Sequence, residues 1–173
     1  MANVLVVAEF AEGKVKKTTH SAVTFAEAVA KGTGGSFSIL VIGAGAKGAA
    51  AELGALGAAK VLVADDASVS NYVAERFAPT VVATAKKGFD VVVTAASAFG
   101  KDLMPRVAAA VGAGYANDIS QVKVDGGKLA YKRPMFAGNA YGWCEITTPV
   151  QVVSVRQSEF APAAPPRTRS VER

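Results

Sequence analysis

The sequence predicts an α/β fold, a three-layer sandwich in which a mostly parallel sheet carries helices on both faces and antiparallel strands follow toward the C-terminus. Segments of strand length that are apolar throughout alternate with segments in which apolar residues recur at helical spacing. This alternation is typical of a parallel sheet with covering helices. In the last third of the chain, apolar residues recur at every second position instead, which indicates antiparallel strands.

Four strand–helix pairs make up the first part of the chain. The strands are predicted at residues 4–8, 37–42, 60–64 and 91–94, and the helices at 19–31, 47–56, 71–87 and 103–111. The continuous apolar runs indicate strands that are buried on both faces. Pro79 is expected to kink or interrupt the third helix, and Asp102 to cap the fourth, with Pro105 in its first turn.

The last third is predicted to contain a β-hairpin and further short strands. Residues 122–131 alternate between apolar and polar side chains around the tight turn Asp125-Gly126-Gly127. Further strands are predicted at residues 145–147 and 150–155. We expect these strands to lie antiparallel at the edge of the sheet.

The composition is that of one globular domain. Of the 173 residues, 51% are hydrophobic and 19% are charged, which is ample for a core and argues against disorder. We expect residues 1–160 to form the domain and the Pro/Arg-rich segment 161–173 to be a linker or tail. The net charge is +5, but no basic stripe with interleaved aromatic residues is present, so nucleic acid is not an expected partner.

Cysteine usage and hydropathy bear on the compartment. Cys144 is the only cysteine, so no internal disulfide can form and a reducing compartment is expected. No apolar run reaches the roughly 18 residues of a membrane span, and strand-like sequence from Asn3 leaves no room for a leader peptide. We expect no membrane insertion and a cytoplasmic location, or the mitochondrial matrix for a mature protein whose leader has been removed.

A glycine-rich loop offers one candidate ligand site. Gly43, Gly45 and Gly48 fit the pattern G-x-G-x-x-G between a predicted strand and a predicted helix, and Asp65 follows about 20 residues on. Such glycines let the backbone approach a pyrophosphate at a helix N-terminus, and the carboxylate would bind ribose hydroxyls. Two interpretations stay open, because the loop follows the second strand rather than the first. It is either a nucleotide site or simply a closely packed connection.

A second candidate follows the fourth strand. Phe99-Gly100-Lys101 leads into a predicted helix, where anions bind in parallel α/β sheets, and Lys101 and Arg106 are the basic groups there. The alternative is that Lys101 is a solvated loop residue and that Arg106 pairs with Asp102 one turn back.

Catalytic patterns are missing from the sequence. His20 is the only histidine, there is no Cys/His cluster, and neither a G-x-S-x-G motif nor a phosphate-binding P-loop occurs. The adjacent Asp65 and Asp66 could bind a hard cation, but two neighbouring carboxylates at a strand end usually face water. The sequence therefore predicts no catalytic residue and no metal site, and we do not expect an enzyme.

The most unusual segment is Arg133-Pro134-Met135-Phe136-Ala137-Gly138-Asn139-Ala140. It combines a guanidinium, a rigid proline, two large apolar side chains, a glycine and an amide without a turn spacer, which indicates a backbone held in one shape against something else. The segment resembles the Arg-Pro-aromatic-Ala-Gly-Asn-Ala stretch of the electron transfer flavoprotein alpha subunit, near the end of that family's first domain.

Other segments resemble the same family in order and spacing. They are Val4-Leu5-Val6-Val7-Ala8-Glu9, the strand that ends in Asp65-Asp66, Phe99-Gly100-Lys101 with Pro105-Arg106, Asp118-Ile119, and Val153-Ser154-Val155-Arg156 with Phe160. Asn117 stands where the family usually has a serine. The resemblance covers almost the whole chain.

The resemblance implies a role in electron transfer. Family members are heterodimers in which the first alpha domain packs on the beta subunit as a base, while a second alpha domain carries FAD and swings between redox partners. Electrons pass from flavin dehydrogenases, such as the acyl-CoA dehydrogenases of fatty acid β-oxidation, to a quinone reductase. This chain stops before the second domain would begin, so we expect it to bind no cofactor alone.

The expected beta-subunit interface comprises Arg133, Met135, Phe136, Asn139 and Trp143, because aromatic residues, Met and Arg are enriched at interface cores. An alternative is that Phe136 and Trp143 fill the core of this domain. Two other functional hypotheses remain, a stand-alone nucleotide-binding module that uses residues 43–48, and an inert fragment.

Overall fold

The computed structural model describes residues 1–164, which form strands, α-helices and short 3₁₀ turns. The strands are β1 (Asn3–Val7), β2 (Phe10–Ala11), β3 (Lys14–Val15), β4 (Ser36–Ile42), β5 (Lys60–Ala64), β6 (Val91–Ala95), β7 (Gly114–Ile119), β8 (Gln121–Asp125), β9 (Lys128–Met135), β10 (Ala140–Glu145) and β11 (Gln151–Val155). The helices are α1 (Thr18–Thr33), α2 (Ala50–Gly54), α3 (Ala74–Ala85) and α4 (Ala98–Val111).

The main sheet has six strands in the order β5-β4-β1-β6-β11-β7, and all of its pairs are parallel. Both faces are covered, because Val4 and Val6 of β1 pack with α1 and α2, whereas Leu5 and Val7 pack with α3 and α4. This confirms the predicted three-layer α/β class. Within residues 1–164, no helix is both long and apolar enough to cross a membrane.

The C-terminal strands differ in detail from the expectation. β11 is parallel and lies inside the main sheet, between β6 and β7. Its residues Val152, Val153 and Val155 are fully buried, as expected for a strand in the interior of a sheet that is covered on both faces. The strands β8, β9 and β10 form a separate antiparallel sheet.

The antiparallel sheet covers α1 with its inner face. Leu129 and Tyr131 are buried there, and the Tyr131 ring centroid lies 6.3 Å from that of Phe25 in α1. The turn between β8 and β9 follows the prediction, with positive φ angles of 54° at Gly126 and 82° at Gly127. The sheet therefore leaves only its outer face and its tip to solvent.

Helix α4 begins earlier than predicted. Its N-cap is Ser97, whose hydroxyl accepts a hydrogen bond from the Gly100 N–H at 3.3 Å. Asp102, the expected cap, lies inside the helix and accepts a hydrogen bond from the Tyr72 hydroxyl at 2.7 Å. Pro105 is consequently an interior residue rather than a first-turn residue.

Pro79 does not end α3, which runs on to Ala85. The helix starts at Ala74, so Pro79 removes only the hydrogen bond that its missing N–H would give to the carbonyl of Glu75. The second predicted helix is a 3₁₀ turn, Ala46–Ala49, followed by the five-residue α2.

Residues 161–164 lie along α1. The Thr24 hydroxyl donates to the Ala161 carbonyl at 2.5 Å, and the Ala163 N–H donates to the His20 carbonyl at 3.1 Å. The His20 ring Nδ1 lies 2.8 Å from the Ala163 carbonyl oxygen. A carbonyl only accepts, so Nδ1 carries the proton in this contact. The arginines 167, 169 and 173 of the expected tail lie outside the described residues.

Candidate functional site

The loop between β4 and α2 is closed by a carboxylate of the chain itself. Asp65, at the end of β5, accepts hydrogen bonds from the backbone N–H of Gly45 at 2.9 Å and of Lys47 at 3.0 Å. These two bonds, that of Lys47 foremost, lower the pKa of Asp65. The carboxylate thus engages two of the N–H groups that a phosphate would need, which favours the closely packed connection over a nucleotide site.

A second carboxylate, that of Glu9, lies at the carboxyl ends of the neighbouring strands β1 and β6. The chain continues from β1 to β4 on one side of this pair and from β6 to β7 on the other side. Open α/β sheets bind ligands in the crevice at such a point. Glu9 Oε2 accepts hydrogen bonds from the Thr18 hydroxyl at 2.9 Å and from the Ser97 hydroxyl at 2.8 Å. A negative charge held there disfavours a bound anion. Sequence reasoning missed this contact, although a serine directly before a helix start is a recognisable cap.

The Phe99-Gly100-Lys101 segment is part of α4 and has a packing role. Phe99 is buried, and its ring centroid lies 4.8 Å from that of Tyr72. A Cβ atom on Gly100 would lie 1.9 Å from the Ala95 carbonyl oxygen, so only glycine allows this approach of α4 to β6. Lys101 is exposed.

Arg106 does not pair with Asp102. Its Nη2 lies 2.8 Å from Glu75 Oε1 of α3, so this ion pair joins the two helices of one sheet face. Within residues 1–164, no group of three or more His, Cys, Asp or Glu side chains is arranged to hold a metal ion.

The segment 133–140 forms the end of a β-hairpin. Strand β10 runs from Ala140 to Glu145 and pairs with β9 in antiparallel register, so it ends where the strand predicted at residues 145–147 was expected to begin. At the tip, Phe136 and Ala137 have positive φ angles of 49° and 55°, followed by Gly138 at 90°. The left-handed conformation costs a residue with a Cβ atom about 1–2 kcal/mol. The tip is thus a strained backbone that carries a large apolar side chain.

The aromatic residues of this hairpin face solvent. Phe136 is 79% exposed, Tyr141 50%, Met135 43% and Trp143 42%. The alternative that Phe136 and Trp143 fill the core is therefore wrong. Tyr141 was not among the expected interface residues, although its spacing of two from Trp143 places both side chains on one face of β10.

Arg133 and Asn139 stabilise the shape of the hairpin. The Arg133 Nε donates to the Asn117 carbonyl at 3.0 Å, which joins β9 to β7. The Asn139 N–H donates to the Phe136 carbonyl at 3.1 Å and closes the tip. Of the expected interface residues, Arg133 and Asn139 make hydrogen bonds that shape the hairpin, whereas Met135, Phe136 and Trp143 present exposed apolar surface.

A polar cluster supports Arg133 from the main sheet. The fully buried Ser154 hydroxyl donates to the Asn117 side-chain oxygen at 2.9 Å and accepts from the Asp118 N–H at 2.9 Å. Asp118, with a φ of 54°, pairs with Arg156 through contacts of 2.6 and 3.2 Å. This ion pair raises the pKa of Arg156, and the cluster fixes the end of β7 next to the hairpin.

These features define an α/β domain whose two candidate anion-binding positions contain its own carboxylates and which exposes a strained apolar hairpin. The chain belongs to the electron transfer flavoprotein family, since the family model described as "Electron transfer flavoprotein domain" matches residues 4–173. The resemblance noted in the sequence is thereby confirmed.

The curated relatives are alpha subunits. The chain is 34% identical over 170 residues, 97% of its length, to the probable electron transfer flavoprotein subunit alpha, mitochondrial, of Caenorhabditis elegans, and covers 49% of that protein. It is 34% identical over 159 residues, 91% of its length, to the Pseudomonas aeruginosa alpha subunit, and covers 48% of it. The chain spans about half the length of these relatives and matches their N-terminal domain.

Proposed function

We propose that this chain is the non-catalytic base domain of an electron transfer flavoprotein alpha subunit and that it pairs with the beta subunit. The single observation that carries the proposal is Phe136, a large apolar side chain that is 79% exposed on a left-handed backbone. Strained residues persist where they serve a function. A partner that buries Phe136 accounts for both the exposure and the strain.

The composition of the hairpin supports a protein partner. Met135, Phe136, Tyr141 and Trp143 are of the residue types that are enriched in the centres of interfaces. They lie together on one hairpin, and the hydrogen bond from Arg133 to the Asn117 carbonyl joins this hairpin to β7. A preformed, rigid surface binds at a lower entropic cost than a flexible one.

The described residues do not fit a flavin diphosphate. The N–H groups of Gly45 and Lys47 are engaged by Asp65, and Glu9 holds a negative charge in the crevice between β1 and β6. In this proposal, FAD is therefore held by parts of the alpha–beta complex outside this domain. The domain orients those parts while electrons pass from flavin dehydrogenases, such as acyl-CoA dehydrogenases, through the flavin to a quinone reductase.

Pairing with the beta subunit is the direct test. The chain is co-expressed with the beta subunit of the same organism, captured through a tag on the beta subunit, and analysed by size-exclusion chromatography. We expect a complex with one copy of each chain. Recovery of the two chains as separate species would overturn the proposal.

Calorimetry distinguishes the proposal from a stand-alone nucleotide-binding module. We expect no saturable heat when FAD, NADH or NADPH is titrated into the purified chain. Saturable binding at micromolar concentration that is abolished by Gly45→Val would contradict the proposal and favour the nucleotide-binding module. A valine side chain at this position would prevent a phosphate from approaching the loop backbone.

A further inference from the structure

The main sheet has an open edge at β5. Within residues 1–164, β5 lies at the end of the strand order and pairs with β4 alone, over Lys60–Ala64 and without a bulge. The Ala64 carbonyl accepts a hydrogen bond from the Gly43 N–H at 3.0 Å, so the backbone of Ala64 faces β4. Because backbone groups alternate in direction along an edge strand, the N–H and C=O groups of Val61 and Val63 point away from β4.

The opposite edge of the sheet, at β7, is protected. The register between β7 and β11 shifts between Val153 and Val155, Asp118 has a positive φ of 54°, and the Arg133 side chain donates to the Asn117 carbonyl. Bulges and covering segments are common devices that prevent a sheet edge from pairing. The edge strand β5 contains neither a bulge nor a proline, and its one charged residue is the first. Of the two edges, β5 is therefore the one that is open to a further strand.

The apolar side chains of β5 are less covered than those of the inner strands. Val63 is 36% exposed, whereas Val6 in β1 and Val93 in β6 are fully buried. Val61 and Leu62 are half-buried. An added strand would cover this apolar surface and bond the open backbone groups at the same time, so the occupant that fits the edge is a β-strand.

The charges of β5 are complementary to those of a second, antiparallel β5. The strand begins at Lys60, and Asp66, which follows its end by two residues, is also extended, with φ −150° and ψ 147°. If a two-fold axis passes between the two copies of Val63, the backbone groups of these valines bond each other, and Lys60 lies opposite Asp66 of the other copy on both sides of the axis. Opposite charges that face each other across antiparallel strands are stabilising. The intervening Asp65 carboxylate already accepts two backbone N–H bonds within its own chain.

We propose that two copies of this chain pair through β5 in antiparallel orientation, so that their main sheets become one continuous sheet. The same edge is used on both copies, so association closes at a dimer. A contact built on one short strand is smaller than the about 1,200–2,000 Å² of a stable interface, so the dimer is weak and reversible. This inference goes beyond the proposed function, because the hairpin of β9 and β10 is joined to β7 at the opposite end of the sheet and stays free in the dimer.

The test combines sedimentation equilibrium of the whole chain over a roughly hundredfold range of concentration with amide hydrogen exchange followed by NMR. We expect a monomer–dimer equilibrium, and we expect exchange at the Val61 and Val63 amides to slow as the concentration rises. The Leu62 and Ala64 amides face β4 in the free chain and serve as the internal reference, so their exchange should not depend on concentration.

The variant Val63→Lys is expected to raise the dissociation constant of the dimer at least roughly tenfold, because it brings two ammonium groups together at the axis. Its matched control is Val73→Lys, which makes the same replacement at a residue that is 40% exposed, directly before α3. We expect the control to associate like the wild type. Circular dichroism and thermal unfolding verify that both variants fold.

A charge variant tests the register. Lys60→Glu places a carboxylate opposite Asp66 of the other copy and is expected to weaken the dimer roughly fivefold, an effect that salt reduces. Lys86→Glu makes the same charge change at an exposed lysine after α3 and is expected to have no effect.

Three results would overturn the inference. The first is a chain that sediments as a monomer over the whole concentration range. The second is a dimer that Val63→Lys leaves as stable as that of the wild type, which would place the contact on another surface. The third is slower exchange at Val61 and Val63 on addition of the cognate beta subunit but not at higher concentration of the chain itself, which would make the occupant a strand of that subunit.

Discussion

The Asp65 carboxylate accepts a hydrogen bond from the backbone N–H of Gly45 at 2.9 Å, across twenty residues of sequence. The bond joins the end of β5 to the glycine loop after β4, at the carboxyl edge of the main sheet. A carboxylate of the protein thus occupies the position that a ligand phosphate occupies in nucleotide-binding proteins of doubly wound α/β architecture. The glycine pattern is real, but the loop stabilises the fold.

Removal of the Asp65 charge is expected to lower stability in a pH-dependent way. The folded state depresses the pKa of Asp65 below its ordinary value of 3.8, so the contribution of the carboxylate to stability is fully present above that pH. It is lost as the pH falls through the folded-state pKa. Thermal unfolding of Asp65→Asn should therefore show a lower Tm than the wild type at pH 7, with the difference closing in acid.

Glu27→Gln is the control for this measurement. Glu27 is exposed on α1, and its carboxylate accepts no hydrogen bond from any residue in 1–164. We expect its Tm to follow that of the wild type. An Asp65→Asn protein whose Tm difference is the same at pH 7 and in acid would refute the role of the charge.

A methyl group at Gly100 is expected to disrupt the packing of α4 on β6. The new Cβ would lie 1.9 Å from the Ala95 carbonyl oxygen, which is backbone and cannot move aside. Overpacking of this kind costs up to about 3 kcal/mol, and a domain of this size loses about 2–4 °C of Tm per kcal/mol. Differential scanning fluorimetry should therefore show a lower Tm for Gly100→Ala, by up to roughly 6–12 °C.

Gly48→Ala is the matched control, because a Cβ at Gly48 would meet nothing within 4 Å. Its Tm is expected to stay the same or rise slightly, since alanine restricts the unfolded chain. Equal effects of the two substitutions would contradict the steric explanation.

His20 is expected to fix the start of the C-terminal segment through its ring. The Nδ1–H tautomer that the Ala163 contact requires is detectable by long-range proton–nitrogen NMR correlation of the neutral imidazole. Loss of a hydrogen bond of about 1 kcal/mol corresponds to a roughly fivefold change in local opening. His20→Ala should accelerate amide exchange at Ala163 by this factor, while His20→Asn, whose side-chain N–H₂ can reach the same carbonyl, should restore slow exchange.

Two results would argue against this role of His20. One is an Nε2–H tautomer in the wild type, and the other is unchanged exchange at Ala163 in His20→Ala. Phe160 provides an internal reference, because its ring packs on Phe25 with centroids 6.0 Å apart and does not depend on the imidazole.

The layers of the fold were predictable because buried parallel strands have a simple signature. The run Val91-Val92-Val93 is apolar on both faces and could only lie inside a covered sheet, and the structure places it in β6. The start of α4 was not predictable in the same way. Ser97 and Asp102 are both good caps, and the choice between them depends on the packing of Phe99 against Tyr72, which is a tertiary contact.

The hairpin formed by β9 and β10 is the main element that the local sequence pattern did not predict. Phe136 and Ala137 are residue types that avoid a left-handed backbone, so nothing in their chemistry indicates a turn. Because the turn was missed, the register of β10 was missed as well. The placement of Lys123 above Trp143 depends on that register, so this contact could not be predicted from the sequence.

The substitution Phe136→Asn is the most direct test of whether Phe136 is exposed because a partner binds it. Asparagine tolerates a left-handed backbone, so relief of strain should raise the Tm of the free chain by about 2–4 °C, corresponding to about 1 kcal/mol. Val73→Asn is the control. Val73 is also an exposed apolar residue, and asparagine there would cap α3 and stabilise the chain.

The decisive measurement is the affinity of these two variants for the cognate beta subunit. We expect Phe136→Asn, although more stable, to bind at least roughly tenfold more weakly because an interface anchor is lost, while Val73→Asn binds like the wild type. Equal affinities of Phe136→Asn and the wild type for the beta subunit would show that Phe136 is not an interface anchor.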